Sequence, residues 1–334
     1  MIKSKDDVLF AESHGYANRA FHVPNQLNTK FDVASITKIF TATAILLLVE
    51  KGLLNLEDKI THVIDLSGTK IPKDVEIHHL LCHTSGIADD ADEEAGENYS
   101  DLFIDSPNYA LRECKDFLKN FAYKEPNFKA GTNIRYNNCA FILLGLAIEK
   151  VAGISYRSFV SENIFEVCRM QNSEFCAMDE VNENTAEGYI PQFDHKGNFI
   201  SWKKNIYSYP PIGTPDGGVY TTVEDLDIFI RAIKNNILLS EKYSNLLLTP
   251  HCEFARELEE VPNARIRMGY AFEFFEINDE ILYIYKDGCN EGVSAMFSYY
   301  PKADITLSIL ANTNCNVWEM HGEMQTELLR QENL

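Results

Sequence analysis

The chain has 334 residues, and 30 lysines and arginines against 50 aspartates and glutamates leave a formal net charge of −20. Nucleic acid and anionic membrane surfaces are held by neutralising cations, so neither is expected as a partner. With 45% hydrophobic residues, among them 20 Phe and 16 Tyr, the chain has ample material for a core, which excludes disorder, and at roughly 150 residues per domain its length predicts about two lobes.

The N-terminus, Met1-Ile2-Lys3-Ser4-Lys5-Asp6-Asp7, meets acid at once and has no apolar stretch of signal-peptide type. The longest apolar run, Ala44 to Val49, falls short of the ~20 residues a membrane span needs, so a soluble, cytoplasmic chain is expected. Up to the run Phe31-Asp32-Val33-Ala34-Ser35-Ile36-Thr37-Lys38 the sequence reads as short strands and turns. From Ile36 to Lys51 it is almost uniformly apolar or small, with Gly52 where a C-cap glycine belongs. A helix apolar all round must be buried.

The stretch 61–204 is mostly helical in pattern and holds a second apolar helix, Ala140 to Val151, stopped at Gly153. Its acidic loop, Ala88 to Asp101, carries Asp89, Asp90, Asp92, Glu93, Glu94, Glu97 and Asp101 and is expected to be a solvated, mobile segment. After Pro210-Pro211 and the turn Gly213 to Gly218, a helix opens with the capping box Thr221-Thr222-Val223-Glu224 and places Leu226, Phe229, Ile230 and Ile233 on one side. Tyr270 to Ile277, Ile281 to Tyr285, Ser294 to Tyr300 and Ile305 to Leu310 are strand-like runs with short connections, the mark of an antiparallel meander. A helix from Val317 to Arg330 follows. The fold class predicted is α/β (α+β): an antiparallel sheet flanked by helices, made from 1–60 and 205–334, with an all-helical lobe at 61–204 inserted and the active site at the seam.

The eight cysteines, Cys82, Cys114, Cys139, Cys168, Cys176, Cys252, Cys289 and Cys315, form no C-x-x-C pair and no Cys/His cluster at metal-ligand spacing. They read as free thiols, and no metal site is expected. The chemistry is carried instead by Ser35 and Lys38, three apart at the mouth of the first buried helix and so on one face. The helix dipole favours negative charge developing at Ser35 Oγ, and a lysine desolvated among apolar neighbours is a plausible base for a serine. S-x-x-K also occurs at Ser67/Lys70 and Ser201/Lys204, but only Ser35 opens a long apolar helix. Likewise Y-x-N occurs at Tyr136-Asn137-Asn138 and Tyr243-Ser244-Asn245, and K-x-G at Lys129-Ala130-Gly131 and Lys286-Asp287-Gly288.

The flanks decide among these. The blocks Phe31 to Thr41, Leu80-Leu81-Cys82-His83-Thr84-Ser85-Gly86-Ile87, Tyr136-Asn137-Asn138 before a helix containing Leu144-Gly145, Pro215 to Thr222 with Asp225-Leu226, and Lys286-Asp287-Gly288 with Gly292-Val293-Ser294 stand in this order. Together they resemble the serine β-lactamase and penicillin-binding-protein superfamily, in its class C β-lactamase and esterase-like branch. The resemblance implies a β-lactamase/transpeptidase-like fold and an acylated nucleophile at Ser35, with Lys38 and Tyr136 sharing the general-base and general-acid work in an order left open. It implies that Asn138 bonds the substrate's amide side chain or Lys38. Lys286 and Gly288 would lie on an edge strand beside the cleft, and the main-chain N–H groups of Ser35 and Cys289 would form an oxyanion hole. His83 belongs to a block that orders a loop behind the cleft.

Departures from the family pattern narrow the reading. Asp287 stands where a hydroxyl residue usually greets a substrate carboxylate, and a carboxylate there repels one. Ala130 replaces a common proline, Cys168-Arg169-Met170 replaces Leu-Gly-Met, and the helix that precedes the first strand in the family is absent or very short in the chain given. The expected activity is a serine hydrolase acting through an acyl-enzyme on a small-molecule or short-peptide ester or amide, of esterase, D-aminopeptidase/carboxypeptidase or β-lactamase type, without a cofactor. The alternative is a penicillin-binding or sensor-like protein that acylates without efficient turnover, or an inactive homologue. Oligomeric state is left open.

Overall fold

A computed structural model describes residues 1–252, 254–258 and 261–332. Its main sheet has eight antiparallel strands: β1 (Ile2–Ser4), β2 (Asp7–Phe10), β3 (Ala255–Glu257), β4 (Ala264–Met268), β5 (Glu273–Ile277), β6 (Glu280–Asn290), β7 (Val293–Tyr300) and β8 (Ile305–Ala311). The order across the sheet is β2-β1-β8-β7-β6-β5-β4-β3, so the first strand of the chain pairs with the last, Ile2 opposite Leu307. The meander expected from the last third is present. Its third expected run, Ser294 to Tyr300, begins one residue earlier, and the second extends through Lys286, Asp287 and Gly288 to Asn290.

Side chains alternate across a strand, and the two faces of the sheet bury two different cores. Ala295, Phe297 and Tyr299 of β7 and Ile284 of β6 join the core of the helices α1 (Thr37–Glu50), α2 (Cys139–Ala152) and α3 (Val223–Lys234). Met296, Tyr300, Tyr283, Tyr285 and Leu307 face the other way, with Val317 and Leu328 of α4 (Val317–Glu332). Every residue of β7 is buried, as a central strand covered on both faces requires.

Helix α1 is buried from Thr37 to Leu48, in keeping with its apolar circumference. Phe40 packs edge-on against Phe165 and Phe229, which fastens α1 to both neighbouring helical layers. Helix α2 ends at Gly153 with φ +73°, the left-handed cap its sequence predicts. Helix α3 is capped one residue later than expected: the Thr222 side chain accepts from the Asp225 N–H at 3.2 Å. The stretch 61–204 is built from short helices and 3-10 turns around α2, and it closes in a hairpin, Tyr189–Phe193 with Phe199–Lys204, whose second strand is exposed. No single helix among the described residues is long and apolar enough to cross a membrane.

Candidate active site

Ser35 lies in a 3-10 turn, Ala34–Ile36, that runs directly into α1. Ala34 holds φ +42°, a left-handed conformation that costs a non-glycine residue about 1–3 kcal/mol. The neighbouring Asp32 Oδ1 accepts the Ala34 N–H at 2.7 Å and holds the turn. Burial pushes the Asp32 carboxyl up to about 6. Two threonines of α1 fasten the turn to the Pro215–Thr222 block. Thr37 Oγ1 accepts from Val219 N–H at 2.9 Å, and Thr41 Oγ1 donates to the Pro215 carbonyl at 2.6 Å.

Lys38 is fully buried beneath Ser35. Its Nζ is 3.0 Å from Ser35 Oγ, 2.7 Å from Asn138 Oδ1 and 2.6 Å from the carbonyl oxygen of Asp216. Tyr136 closes the group from above: its ring centroid is 5.1 Å from Lys38 Nζ and 5.0 Å from Lys286 Nζ. His83 stacks on that ring at 4.5 Å. His83 Nδ1 accepts the Asn137 N–H at 3.1 Å, so the imidazole proton sits on Nε2. Burial, with Lys286 and Lys38 nearby, keeps its pKa well below the ordinary value. A neutral ring with its basic nitrogen already occupied orders a loop, as its sequence block implies, and is no general base.

Lys286, Asp287, Gly288 and Cys289 lie on β6. The β5 pairing of that strand stops at Tyr285, opposite Glu273, so Lys286 to Asn290 form a free edge although β6 is central in the sheet. Strand and turn meet at Gly288. A Cβ there would fall 2.2 Å from the Val33 carbonyl oxygen and 3.0 Å from Ser35 N, so only glycine lets β6 approach the Ser35 turn. Burial opposes the charge on Lys286, but Glu273, Tyr136 and Asp287 outweigh it and hold its pKa well above the ordinary lysine value. Its Nζ donates to Glu273 Oε1 at 2.9 Å and Asp287 Oδ1 at 3.2 Å. The other Asp287 oxygen accepts from the Trp318 indole N–H at 2.9 Å. Burial works against ionisation of Asp287 as well, yet Lys286 and Trp318 prevail and keep its pKa below the usual carboxylate value.

Ser35, Tyr136, Asn138, Lys286, Asp287, Gly288 and Cys289 all line one cavity of about 730 Å³, with Lys38 under its floor. The competing motifs are elsewhere: Lys70 pairs with Glu125, Lys204, on the exposed strand of the hairpin, with Glu187, and Tyr243 and Asn245 sit on the helix Glu241–Leu247. The acidic loop differs from its expectation. Asp89 and Asp90 are buried, and Asp92 accepts from Arg135 Nη2 at 2.6 Å. Burial raises the pKa of both Asp89 and Asp90, and the charges of Asp89 and Asp216 lift Asp90 further. Ligand atoms of Asp89, Asp90 and Cys139 lie within 4.8 Å of one another, but both Asp89 oxygens are committed to main-chain N–H groups. His78 and His79 are likewise engaged, with Tyr270 OH and the Glu76 N–H. Sequence reasoning missed Glu273 and Trp318, whose approach to Lys286 and Asp287 depends on sheet register and on the docking of α4. It also missed Asp89, whose only local signal is its place just after the Leu80 to Ile87 block.

The Beta-lactamase family model matches residues 2–326. Protein flp of Staphylococcus aureus (strain MRSA252) is 28% identical over 323 residues, covering 94% of this chain and 59% of its own length; the chain thus spans about three fifths of that relative. The crystal structure of a penicillin-binding protein from Bacillus halodurans is similar with a TM-score of 0.89 at 36% identity, over 97% of this chain and 94% of that one. An octameric penicillin-binding protein homologue from Pyrococcus abyssi gives a TM-score of 0.78 at 26% identity, over 94% of this chain and 68% of that one. A model matched over nearly the whole sequence, on a fold shared with penicillin-binding proteins, means that the chain belongs to the beta-lactamase family.

Proposed function

We propose that the chain is a serine hydrolase that opens an ester or amide through an acyl-enzyme at Ser35. The observation that carries this reading is the surrounding of Lys38 Nζ: two carbonyl-type oxygens, Asn138 Oδ1 and Asp216 O, and one hydroxyl, Ser35 Oγ. Only the hydroxyl has a proton to give. A neutral Lys38 keeps two N–H bonds to the carbonyl oxygens and turns its lone pair to Ser35, which makes it the base that activates the nucleophile. Oγ then attacks the substrate carbonyl, the N–H groups of Ser35 and Cys289 receive the oxyanion, and the bond from the acyl carbon to the leaving group breaks as Tyr136 protonates that group and is itself reprotonated by the proton Lys38 took from Ser35. Water releases the acyl group in the second half.

The substrates are esters or amides with a neutral or cationic group near the acyl centre, such as short esters or amino-terminal D-peptides. Lys286 has its charge matched by Glu273 and Asp287, which leaves little to attract a substrate carboxylate. Carboxylates also outnumber cations on the cavity wall, with Asp32, Glu93, Glu94, Asp216, Glu273, Asp287 and Glu291 against Lys286 and Arg256.

Intact-mass spectrometry after exposure to a fluorophosphonate and to a labelled penicillin tests the reading. A Ser35 adduct with turnover of an activated ester supports it. A stable penicillin adduct without turnover supports the sensor-like alternative, and no adduct with either probe overturns acylation altogether. On the substrate, nitrocefin turnover should be weak and Asp287→Thr should raise it; brisk wild-type turnover would sink the substrate class while leaving the serine chemistry intact.

A further inference from the structure

The start of α2 is capped in an unusual way. Its N-cap residue is Asn138, and an asparagine there ordinarily turns its side-chain oxygen back to the first free N–H groups of the helix. Asn138 makes no such bond; its Oδ1 accepts from Lys38 Nζ at 2.7 Å instead. The N–H groups are satisfied from outside the helix. Asn138 N–H donates to Asp89 Oδ2 at 2.8 Å and Cys139 N–H to Asp89 Oδ1 at 2.9 Å, while Ala140 N–H donates to Asn137 Oδ1 at 2.6 Å. Asp89 is itself held from behind, because Lys124 Nζ donates to the carbonyl oxygens of Asp89 and Asp90 at 2.9 and 2.8 Å. Asn137 Nδ2 adds a bond to the Ile87 carbonyl at 3.0 Å.

We infer that Asp89 is a positioning residue for acylation: by gripping the Asn138 and Cys139 N–H groups from a distant loop it fixes the backbone from which the Asn138 side chain holds Lys38 against Ser35. A carboxylate suits the place on two counts. It offers two acceptor oxygens to two adjacent donors, and its charge complements the positive end of the helix dipole. An amide offers one oxygen and turns an NH2 towards the second N–H, so the helix start must shift and the Asn138 side chain shifts with it. That movement takes an acceptor from Lys38.

The inference rests on the acyl-enzyme reading above, and the test separates the two. The rate of fluorophosphonate labelling of Ser35 is measured by intact mass for the wild-type chain, Asp89→Asn, Asn138→Ala and the double variant. Asp89→Asn should slow labelling by about 100-fold, the scale of a misplacement near 1 Å. In the Asn138→Ala background the same change should add less than about threefold, because the two residues act in series. Asp89→Ser, which keeps one acceptor, provides a second variant, and labelling about 10-fold slower is expected. Ser155→Ala removes another helix cap, the bond to Ser158 N–H at 3.1 Å, and should lower Tm with the labelling rate unchanged. Equal rates for wild type and Asp89→Asn, or a full penalty in both backgrounds, would overturn the inference and leave the serine reading standing. Failure of the wild-type chain to label would overturn both.

Discussion

At the scale of single residues, the site is arranged around what each lysine is bonded to. Lys38 faces one hydroxyl and two carbonyl oxygens, whereas Lys286 faces two carboxylates. The first arrangement bonds the amine to no fixed anion; the second holds a charge in place. Lys38→Ala should therefore lower kcat/KM for an activated ester by about 10²–10⁴-fold, the usual contribution of a general base, and approach the loss seen in Ser35→Ala. Retention of most activity would remove Lys38 from the mechanism. Sequence identified both lysines from their flanking blocks, yet their difference in environment was not legible. Glu273 reaches Lys286 only because β5 and β6 pair with Glu273 opposite Tyr285, and nothing local to Glu273 announces that register.

At the scale of elements, two contacts carry the design. The first is the approach of β6 to the Ser35 turn. Gly288→Ala puts a methyl group 2.2 Å from the Val33 carbonyl oxygen, so strand and turn must separate. Acylation should slow by about 100-fold, with the circular-dichroism spectrum unchanged; a rate near wild type would mean that the two elements are not in register for the oxyanion. The second is the end of the short helix Glu166–Cys168, where Arg169 holds φ +63°, a conformation that favours glycine. The residue is exposed, so Arg169→Gly should relieve left-handed strain and stabilise the fold by roughly 1 kcal/mol in urea denaturation. Helices α1 and α2 and the strands from Glu273 onward were legible because period and length agree in each. The acidic loop was not, because Asp89 and Asp90 have the same composition signal as the exposed Glu93 and Glu97 beside them. Burial there is decided by the α2 N-terminus, a partner far along the chain.

For the molecule as a whole, two buried groups set opposing pH dependences. Burial lowers His321 to about 4 from an ordinary 6.5. As pH falls through that window the unfolded chain takes up a proton that the folded chain refuses, so this group removes stability at about 1.4 kcal/mol per unit. Burial raises Asp32 to about 6 from an ordinary 3.8. Between those values the folded chain binds the proton first, so stability from Asp32 grows as pH falls and shrinks as pH rises. The two contributions nearly offset each other, and single variants should expose them. Urea denaturation at about pH 4.5 and 6.5 should show a steeper acid loss for Asp32→Asn and a shallower one for His321→Gln; curves parallel to wild type would show that neither group titrates in this way.

The closure of the sheet by Ile2 against Leu307, and of the site by Gly288 against the Ser35 turn, also bears on when the cavity is completed. Both contacts join the beginning of the chain to its last quarter, so each requires a very long loop to close before it repays the entropy. On the ribosome Ser35, Lys38 and both apolar helices emerge well before the strand that faces them. The Ser35 turn thus precedes in synthesis the strand that packs against it, and the cavity it lines is complete only once β6 has been made.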